Sequence, residues 1–573
     1  MKEKIFQVHS RKQDFAWRLG ISLMEVVKMR RRNLTMIVAM LIIALSIGTT
    51  AFTAYNHQGD IDSVNFRTVY PDKAGTKLDT CTLCHSGGSY TTGTPPNQTT
   101  TTLGSCQWCH YKYGYHEPHG NILETLNTYG RDYLANGRNA EAIRTIGEPT
   151  FDSDGDGYSN AAEIAATRYP GDKNDDPTKV PAPYQVYTRE ELEQMPQHTQ
   201  FQLMNVTKSK GGDSYVQYSG VVMEELLNRT GMLSNATAII VYSPDGFSYT
   251  HPLLPPVSQD PMHLQYFVVG PYPKGTYYYS TEADVKLNTA YGWCDYSAPS
   301  CAGRIQSKDG VPIPDELRML LGIKRDGNYL TPGVLDSSNK LNGEGPFRVI
   351  PPQVIPGPPD QSSTSKIQSV IWPYNETNDH NAGASTRSTT IIKVVPLPVG
   401  TTDIDLTEAG WPFIDEGKIL VYGAVDPVPT ILEKLDELIL TLSEMDDADF
   451  RDCPSKHCVH QNQEGTFKLS KCPQYHFAKW GRAGNCPGHL CKKHCHYSCN
   501  DVLVQKLEVV KKQVLRGAYE GALEKLHNDI QKKTDGCVVD GAVDRNDWVT
   551  DCEKQKQFYW ALNEIVVLLS ILI

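Results

Sequence analysis

Two short motifs pair cysteines at a spacing suited to covalent heme attachment. They are Cys81-Thr-Leu-Cys84-His85 and Cys106-Gln-Trp-Cys109-His110, two copies of the pattern C-x-x-C-H. Thiols at this spacing form thioethers with both vinyl groups of one heme, and the adjacent histidine is then held against the iron as its proximal ligand. The motifs therefore predict two molecules of heme c. A four-cysteine zinc site and a pair of disulfides are the alternatives.

The distal iron ligands of these hemes are predicted to be histidines. No methionine occurs between Tyr55 and Thr150, whereas His57, His116 and His119 are spare histidines of that segment. His116 and His119 follow the second motif closely, and they are the candidates that we favour. Two histidine ligands give iron a lower reduction potential than one histidine and one methionine, which suits electron transfer.

A twelve-residue motif after the heme segment has the ligand spacing of a calcium loop. Its ligand positions 1, 3, 5, 7, 9 and 12 are Asp152, Asp154, Asp156, Tyr158 (through its carbonyl), Asn160 and Glu163. Position 8 is Ser159 rather than an apolar residue, which argues against pairing with a second EF-hand. We expect one structural Ca²⁺ that fastens the heme segment to the next domain. An acidic turn without metal is the alternative.

Seven of the fifteen cysteines lie between Cys453 and Cys499. Within this cluster, Cys491-Lys-Lys-His-Cys495-His496 is similar to a heme motif with one extra residue between the thiols. Disulfides, a metal such as zinc bound with neighbouring histidines, and a third heme remain open as alternatives. Two local disulfides are predicted elsewhere, Cys294–Cys301 and Cys537–Cys552.

The N-terminus carries an export signal, which agrees with heme attachment outside the cytoplasm. A basic cluster from Lys28 to Arg32 precedes an apolar run from Leu34 to Ile47 and then small residues. The segment is predicted to be a signal peptide or an uncleaved membrane anchor, and the protein to be periplasmic or extracellular. The formal net charge of −11 excludes a general attraction to nucleic acid.

The length of 573 residues predicts several domains, since a typical domain has roughly 150. Local patterns predict where several helices and strands lie. A capping box at Thr188 to Glu191 predicts a helix start, and the pattern from Ala238 to Thr250 predicts a hairpin. A helix with one apolar face is predicted from the spacing of Ile431, Leu435, Leu438 and Leu442. Similar apolar faces recur at 503–514 and 519–530. The predicted segments are a signal or anchor at 1–54, a loop-rich and helical diheme segment at 55–150, a calcium loop and linker at 151–183, a mainly β α+β domain at 184–425, and an antiparallel helical bundle at 426–573 with a Cys/His-rich insert at 453–499.

The combination of both heme motifs, the Asp152 loop and the segment from Gly343 to Gln353 resembles the GEGP motif-containing diheme proteins that environmental bacteria export. The resemblance covers roughly Asp72 to Val425. It implies extracytoplasmic electron transfer with redox partner proteins or other multiheme cytochromes.

Part of the middle domain, Tyr218 to Leu227 with Asp245 to Ser248, resembles the molybdopterin-binding fold of sulfite oxidase relatives. Those enzymes hold molybdenum through a cysteine thiolate, whereas the corresponding stretch here is Met204-Asn205-Val206. We therefore expect no molybdopterin. Arg348 is either an anion ligand or a structural ion-pair partner.

An electron carrier is favoured over an enzyme, because signatures of nucleotide, zinc-protease and serine-hydrolase sites are missing from the sequence. A heme-linked oxidoreductase with a cofactor or anion site in the middle domain is the second hypothesis. A calcium-dependent interaction protein with purely structural hemes is the third.

Overall fold

Helices and strands alternate irregularly along the described chain. The computed structural model describes residues 61–85, 88–92, 99–103, 126–207, 213–243, 247–259, 264–277, 311–335, 341–357, 378–404, 411–453, 457–461, 467–471 and 497–573. The helices of these ranges are α1 Ile61–Val69, α2 Thr128–Ala135, α3 Ala140–Ile146, α4 Asn160–Ala165, α5 Arg189–Gln194, α6 Met223–Arg229, α7 Trp411–Glu416, α8 Val428–Glu444, α9 Cys499–Val514, α10 Tyr519–Lys525, α11 Gly536–Val539 and α12 Cys552–Ser570.

The strands pair mostly within hairpins and two larger sheets. They are β1 Gly88–Thr92, β2 Thr99–Leu103, β3 Val180–Pro181, β4 Tyr184–Thr188, β5 Gln197–Met204, β6 Ser214–Val222, β7 Ala238–Tyr242, β8 Ser248–Pro252, β9 Thr276–Tyr277, β10 Val311–Pro312, β11 Leu320–Arg325, β12 Asn328–Tyr329, β13 Val334–Leu335, β14 Leu341–Asn342, β15 Arg348–Ile350, β16 Ile391–Val395, β17 Thr401–Thr402, β18 Lys418–Gly423, β19 Asp452–Cys453, β20 His457–Gln461, β21 Phe467–Lys471 and β22 Tyr497–Ser498. The mixed α+β content agrees with the predicted fold class.

Short helices build the N-terminal part around one small core. Asn127 and Asn139 cap α2 and α3, because their side chains accept hydrogen bonds from the free backbone N–H groups of the first turn. The helices bury aromatic and aliphatic side chains against one another. This N-terminal core consists of Phe66, Leu78, Leu83, Tyr129, Tyr133, Ala142, Ile143, Ile146, Ile164 and Tyr169.

Two five-stranded sheets form the middle domain. The first has the order β12-β11-β6-β5, with β15 also paired to β11, and all its pairs are antiparallel. The second has the order β4-β18-β16-β7-β8, in which only the β16–β18 pair is parallel. Both sheets contribute to one hydrophobic core, which contains Val221 and Leu321 from the first and Val241 and Val421 from the second.

Two local predictions for this domain are confirmed. Thr188 and Glu191 form the reciprocal capping box at the start of α5. Strands β7 and β8 pair antiparallel as the predicted hairpin, with the second strand beginning at Ser248 instead of Phe247.

The C-terminal helices pack around one hydrophobic core, and we call this group of helices the C-terminal bundle. Asn500 donates to the carbonyl of Leu442 over 2.8 Å, so the start of α9 lies at the end of α8. The predicted face of α8 is buried, together with the predicted apolar faces of α9 and of residues 519–530. The segment 519–530 differs from a regular helix, because α10 continues into a π-helical turn at Leu526–Ile530.

The end of the chain packs within this bundle. Cys537 and Cys552 form the predicted disulfide, with their Cα atoms 5.5 Å apart. Helix α12 buries Ile565 and Leu569 in the bundle core and also lies beside β3. A search of the described ranges finds no helix with both the length and the apolarity that a membrane span requires.

Candidate functional site

The first C-x-x-C-H motif forms a tight turn against the start of α2. Residues Cys81–Leu83 adopt a 3-10 turn, and the backbone N–H of Asn127 donates to the carbonyl of Cys84 over 2.9 Å. The side-chain amide of Asn127 donates to the carbonyl of Leu83 over 3.0 Å. His85 makes an isolated antiparallel bridge with Leu126. Asn127 thus caps α2 and holds the motif in place at once.

A glycine makes this close approach possible. A Cβ atom on Gly130 would lie 2.2 Å from the carbonyl oxygen of Cys84, which is far inside contact distance. The turn that carries the predicted heme-binding cysteine therefore sits directly on the helix backbone. Cys84 is half-buried and packs against the N-terminal core.

A buried tyrosine beside Cys84 bears on whether a heme fits here. Burial and the nearby Cys84 raise the pKa of Tyr129 well above its usual value. Its hydroxyl is buried and has no hydrogen-bond partner within the described ranges. A buried hydroxyl without a partner is costly. A bound group that offers an acceptor near Cys84 would remove this cost.

The predicted calcium loop brings its acidic side chains together. One carboxylate oxygen from each of Asp152, Asp154 and Asp156 lies within 4.8 Å of the others. Calcium binds oxygen at 2.3–2.6 Å, so two ligands on opposite sides of the ion are separated by about 5 Å. The three carboxylates are thus close enough to share one Ca²⁺.

Unpaired oxygens mark the centre of this loop. Asp154 and Asp156 each have one buried carboxylate oxygen without a partner in the described structure, and Glu163 has two. Burial and the charges of Asp154 and Asp156 raise the pKa of Glu163 to about 9. Several acidic oxygens without donors are the ligand set that a hard cation satisfies.

Two other predicted ligands have different surroundings. The Asn160 side chain accepts from the backbone N–H of Ser153 over 2.9 Å and donates to the carbonyl of Ile146 over 2.8 Å. Asn160 therefore fixes the loop and ties it to α3, a role that its position 9 did not indicate. Tyr158 is partly exposed, and its N–H donates to Asp156 over 2.7 Å. Ser159, at position 8, caps α4 instead.

Contacts of the calcium loop region run from the heme segment to the middle domain. The Lys73 ammonium donates to the carbonyl of Ala165 at the end of α4 over 3.0 Å. The Lys77 ammonium, fully buried, donates over 2.7 Å to Asp175 and over 2.7 Å to the hydroxyl of Thr402 in β17. Strand β17 pairs with β3 of the linker. Lys77 is therefore bonded to both the linker and the middle domain.

Charges around Lys77 compensate its burial in part. Desolvation lowers the pKa of Lys77, and the neighbouring carboxylates Asp175 and Asp403 act in the opposite direction. Asp175 also accepts from the N–H of Tyr169 over 3.0 Å, and the Tyr169 ring centroid lies 4.7 Å from the Lys77 ammonium. We call Lys77, Asp175 and Thr402 the interdomain cluster. Sequence reasoning missed it, because its members are far apart in the chain and each is common in loops.

The GEGP segment holds Arg348 in an ion pair. Its guanidinium lies 3.0 Å from Glu344, donates over 2.8 Å to Ser385 and donates over 3.1 Å to the hydroxyl of Tyr218. Glu344 also pairs with Arg325 over 2.6 Å. Of the two roles considered for Arg348, the structure therefore supports the structural one.

A buried histidine of the middle domain was not among the sequence predictions. His251 in β8 is fully buried, and its Nδ1 lies 3.0 Å from the carbonyl oxygen of Tyr266. Its Nε2 is buried and has no hydrogen-bond partner within the described ranges. Burial lowers the pKa of His251 to about 4, so the ring is neutral near pH 7. No spacing in the sequence connects His251 with the heme motifs.

Several predicted site residues lie outside the described ranges. They are Cys106, Cys109, His110, His116, His119, Cys491, Cys495 and His496, along with Cys294 and Cys301 of a predicted disulfide and the export segment. At the end of the C-terminal cluster, Cys499 is buried and disulfide-bonded. Disulfide bonding thus accounts for at least one thiol of that cluster.

No family model, no curated protein and no solved structure matches the chain.

Proposed function

We propose that the chain is an exported diheme cytochrome c that transfers electrons outside the cytoplasm. Redox partner proteins or other multiheme cytochromes would deliver and accept the electrons. The observation that carries the proposal is the turn of the first C-x-x-C-H motif, held against α2 by Asn127 and Gly130. A half-buried Cys84 thiol lies there beside the unpartnered hydroxyl of Tyr129.

The residue types of the motif support heme over the zinc and disulfide alternatives. A zinc site needs only four of the six cysteine and histidine ligands that the two motifs offer, and a disulfide uses only the cysteines. A c-type heme uses both cysteines for thioether bonds and the histidine as iron ligand. Each thiol adds across one vinyl group, so attachment releases no by-product.

Calcium has a mechanical role in this proposal. A Ca²⁺ held by Asp152, Asp154, Asp156 and Glu163 would rigidify the loop before α4. The end of α4 contacts Lys73, and the N–H of Arg168 donates to the carbonyl of Glu163 over 2.7 Å. A rigid loop would keep the heme segment at one distance from the middle domain, as efficient electron transfer requires.

The first experiment counts covalent hemes. The full chain is expressed in a bacterium with heme-maturation machinery, and its intact mass is measured before and after disulfide reduction. Two hemes and a processed N-terminus are expected, and a third would assign Cys491, Cys495 and His496 to heme. A mass without any heme contradicts the proposal and leaves zinc at the first two motifs.

Two double variants make the mass measurement specific. Replacing Cys81 and Cys84 by serine should remove one heme. The control replaces Cys537 and Cys552, whose thiols form a disulfide in the C-terminal bundle, and should keep both hemes. Loss of a heme in the control would mean that the mass change reports folding rather than attachment.

A redox titration and a metal analysis separate electron transfer from the other two functions. Reversible reduction of both hemes at low potential supports an electron carrier. Hemes that do not exchange electrons with mediators would favour an interaction protein. Stoichiometric molybdenum in the purified protein would favour an oxidoreductase.

A further inference from the structure

We propose that Asp62 of α1 lowers the reduction potential of the first heme, the one attached at Cys81 and Cys84. The proposal rests on the proposed function, because it requires a heme at the first motif. The carboxylate acts as a fixed negative charge near His85, the predicted proximal ligand. Asp62 is a positioning residue that acts through His85 and does not bind the iron itself.

Helix α1 directs Asp62 toward the N-terminal core. Asp62, Asn65 and Phe66 are three and four residues apart, so they share one face of the helix. Phe66 is buried in the core, and the side chain of Asp62 is 27% exposed. A partly buried charge acts on its neighbours more strongly than a surface charge, because solvent and salt screen it less.

Two residues at the end of α2 and just after it hold the carboxylate in one position. The guanidinium of Arg138 donates over 2.7 Å to Oδ2 and over 3.0 Å to Oδ1 of Asp62, which makes the ion pair bidentate. The hydroxyl of Tyr133 donates to Oδ1 of Asp62 over 2.9 Å. The same hydroxyl accepts from the side-chain amide of Asn65 over 2.8 Å. The charge of Asp62 therefore has a fixed place.

Tyr133 connects this carboxylate with the turn of the first motif. It follows Gly130 by three residues on α2, and Gly130 is the residue that lies against the carbonyl of Cys84. Burial raises the pKa of Tyr133, and the charges of Asp62 and Cys84 act in the same direction. Tyr133 therefore lies close to both the carboxylate and the motif.

His85 lies near enough to Asp62 for their charges to interact. Burial acts to raise the pKa of Asp62, but hydrogen bonds from Arg138 and Tyr133 and the charges of Arg138 and His85 together lower it. His85 is half-buried, and its bridge with Leu126 fixes its backbone just before α2. The carboxylate and the predicted iron ligand are thus neighbours in the folded chain.

A negative charge at this place stabilises the oxidised heme. One electron from a redox partner reduces ferric to ferrous iron and removes one positive charge, so a nearby carboxylate makes reduction less favourable. A carboxylate beside a histidine ligand also increases the basicity of the ring. The cation of Arg138 opposes the effect of Asp62 in part. Replacing Asp62 and replacing Arg138 should therefore shift the potential in opposite directions.

The test is a redox titration of the full-length, heme-loaded protein. Asp62→Asn should increase the equilibrium constant for reduction of one heme about tenfold, which raises its potential by about 59 mV. Arg138→Gln should lower the potential of the same heme. Glu141→Gln and Arg144→Gln are the matched controls, because these residues form an exposed ion pair over 3.1 Å in the same segment. Both controls should leave the two potentials unchanged.

A further variant assigns the effect to the first heme. In a protein with Cys81 and Cys84 replaced by serine, Asp62→Asn should leave the potential of the remaining heme unchanged, and a shift of that potential overturns the proposal. Arg138→Gln covers a folding failure of Asp62→Asn, because the side chain of Arg138 is 52% exposed. An unchanged or higher potential in Arg138→Gln overturns the proposal as well.

The outcomes distinguish this proposal from the function on which it rests. Unchanged potentials in both folded variants overturn the proposal alone. Shifts in the same direction in both variants also overturn it, because a loosened heme segment rather than the charge of Asp62 would then be the cause. A wild-type chain without covalent heme overturns the proposed function and the proposal together.

Discussion

Replacing Lys77 by methionine should loosen the attachment of the heme segment to the middle domain. Methionine keeps much of the volume of the side chain and removes the ammonium, which bonds both Asp175 and Thr402 over 2.7 Å. Asp175 is then a buried carboxylate, and among the described residues its remaining cationic partner is Arg168, 3.9 Å away. Breaking a buried ion pair by removing one partner costs about 3–5 kcal/mol.

Amide hydrogen exchange measures this loss of stability at the contact between the two segments. The N–H groups of Val180 and Ala182 donate to the carbonyls of Gly400 and Thr402, so their protection reports the β3–β17 pairing next to Lys77. Each 1.4 kcal/mol changes an equilibrium tenfold, so a loss of about 3–5 kcal/mol predicts exchange about 10²- to 4 × 10³-fold faster in Lys77→Met. Mass spectrometry of peptides that cover these amides measures the rate.

Two further variants test whether faster exchange results from the loss of the buried ion pair of Lys77. Lys179→Met removes a partly exposed ion pair with Asp176 in the same linker, where the expected loss is below about 1 kcal/mol. Lys77→Met combined with Asp175→Asn removes the uncompensated charge and should recover part of the protection. An acceleration below tenfold in Lys77→Met, or an equal one in Lys179→Met, would refute the role of the interdomain cluster.

Three other predictions follow from the site and the fold. Chelating calcium should destabilise the heme segment by about 2.7 kcal/mol relative to calcium at one hundred times its Kd, and Glu163→Gln should abolish that response in calorimetry. Gly130→Ala should cost about 1–3 kcal/mol in a thermal unfolding experiment, because its Cβ meets the carbonyl of Cys84 at 2.2 Å, whereas Gly383→Ala, with nothing within 4 Å of its Cβ, should be neutral. Burial raises the pKa of Asp379 to about 6, so its stabilising effect is present below its unfolded pKa and is lost as pH rises through about 6. Chemical denaturation across that range should show a decline that Asp379→Asn reduces, and identical pH profiles would contradict this assignment.

Local patterns in the sequence predicted local structure well. The capping box at Thr188 and the apolar face of α8 depend on spacings of three and four residues, which a sequence shows directly. The acidic side chains of the calcium loop converge for the same reason, since alternate residues of one tight turn point to a common centre. Asn160 has a different role, because its position next to Ile146 of α3 comes from tertiary packing.

Contacts between distant segments escaped prediction. In the sequence, Lys77 is an ordinary loop lysine. Only the fold shows its role, because the pairing of β3 with β17 brings Thr402 beside it. In the sequence, His251 is likewise an ordinary strand residue of a hairpin, and only the folded structure shows that its Nε2 has no hydrogen-bond partner within the described ranges. The order of strands in the second sheet was also not predictable, because β16 and β18 pair in parallel across α7.

If the chain is exported as proposed, the pairing of β3 with β17 would set an order for its assembly. A chain that crosses a membrane from its N-terminus presents Cys81 and Cys84 long before Thr402 follows, and α12, which lies beside β3, follows later than Thr402. The surface that receives Lys77 therefore does not exist while the first heme motif emerges. The proposed heme would then be attached to an open chain, and the later pairing of β3 with β17 would make the heme-loaded segment part of the folded protein.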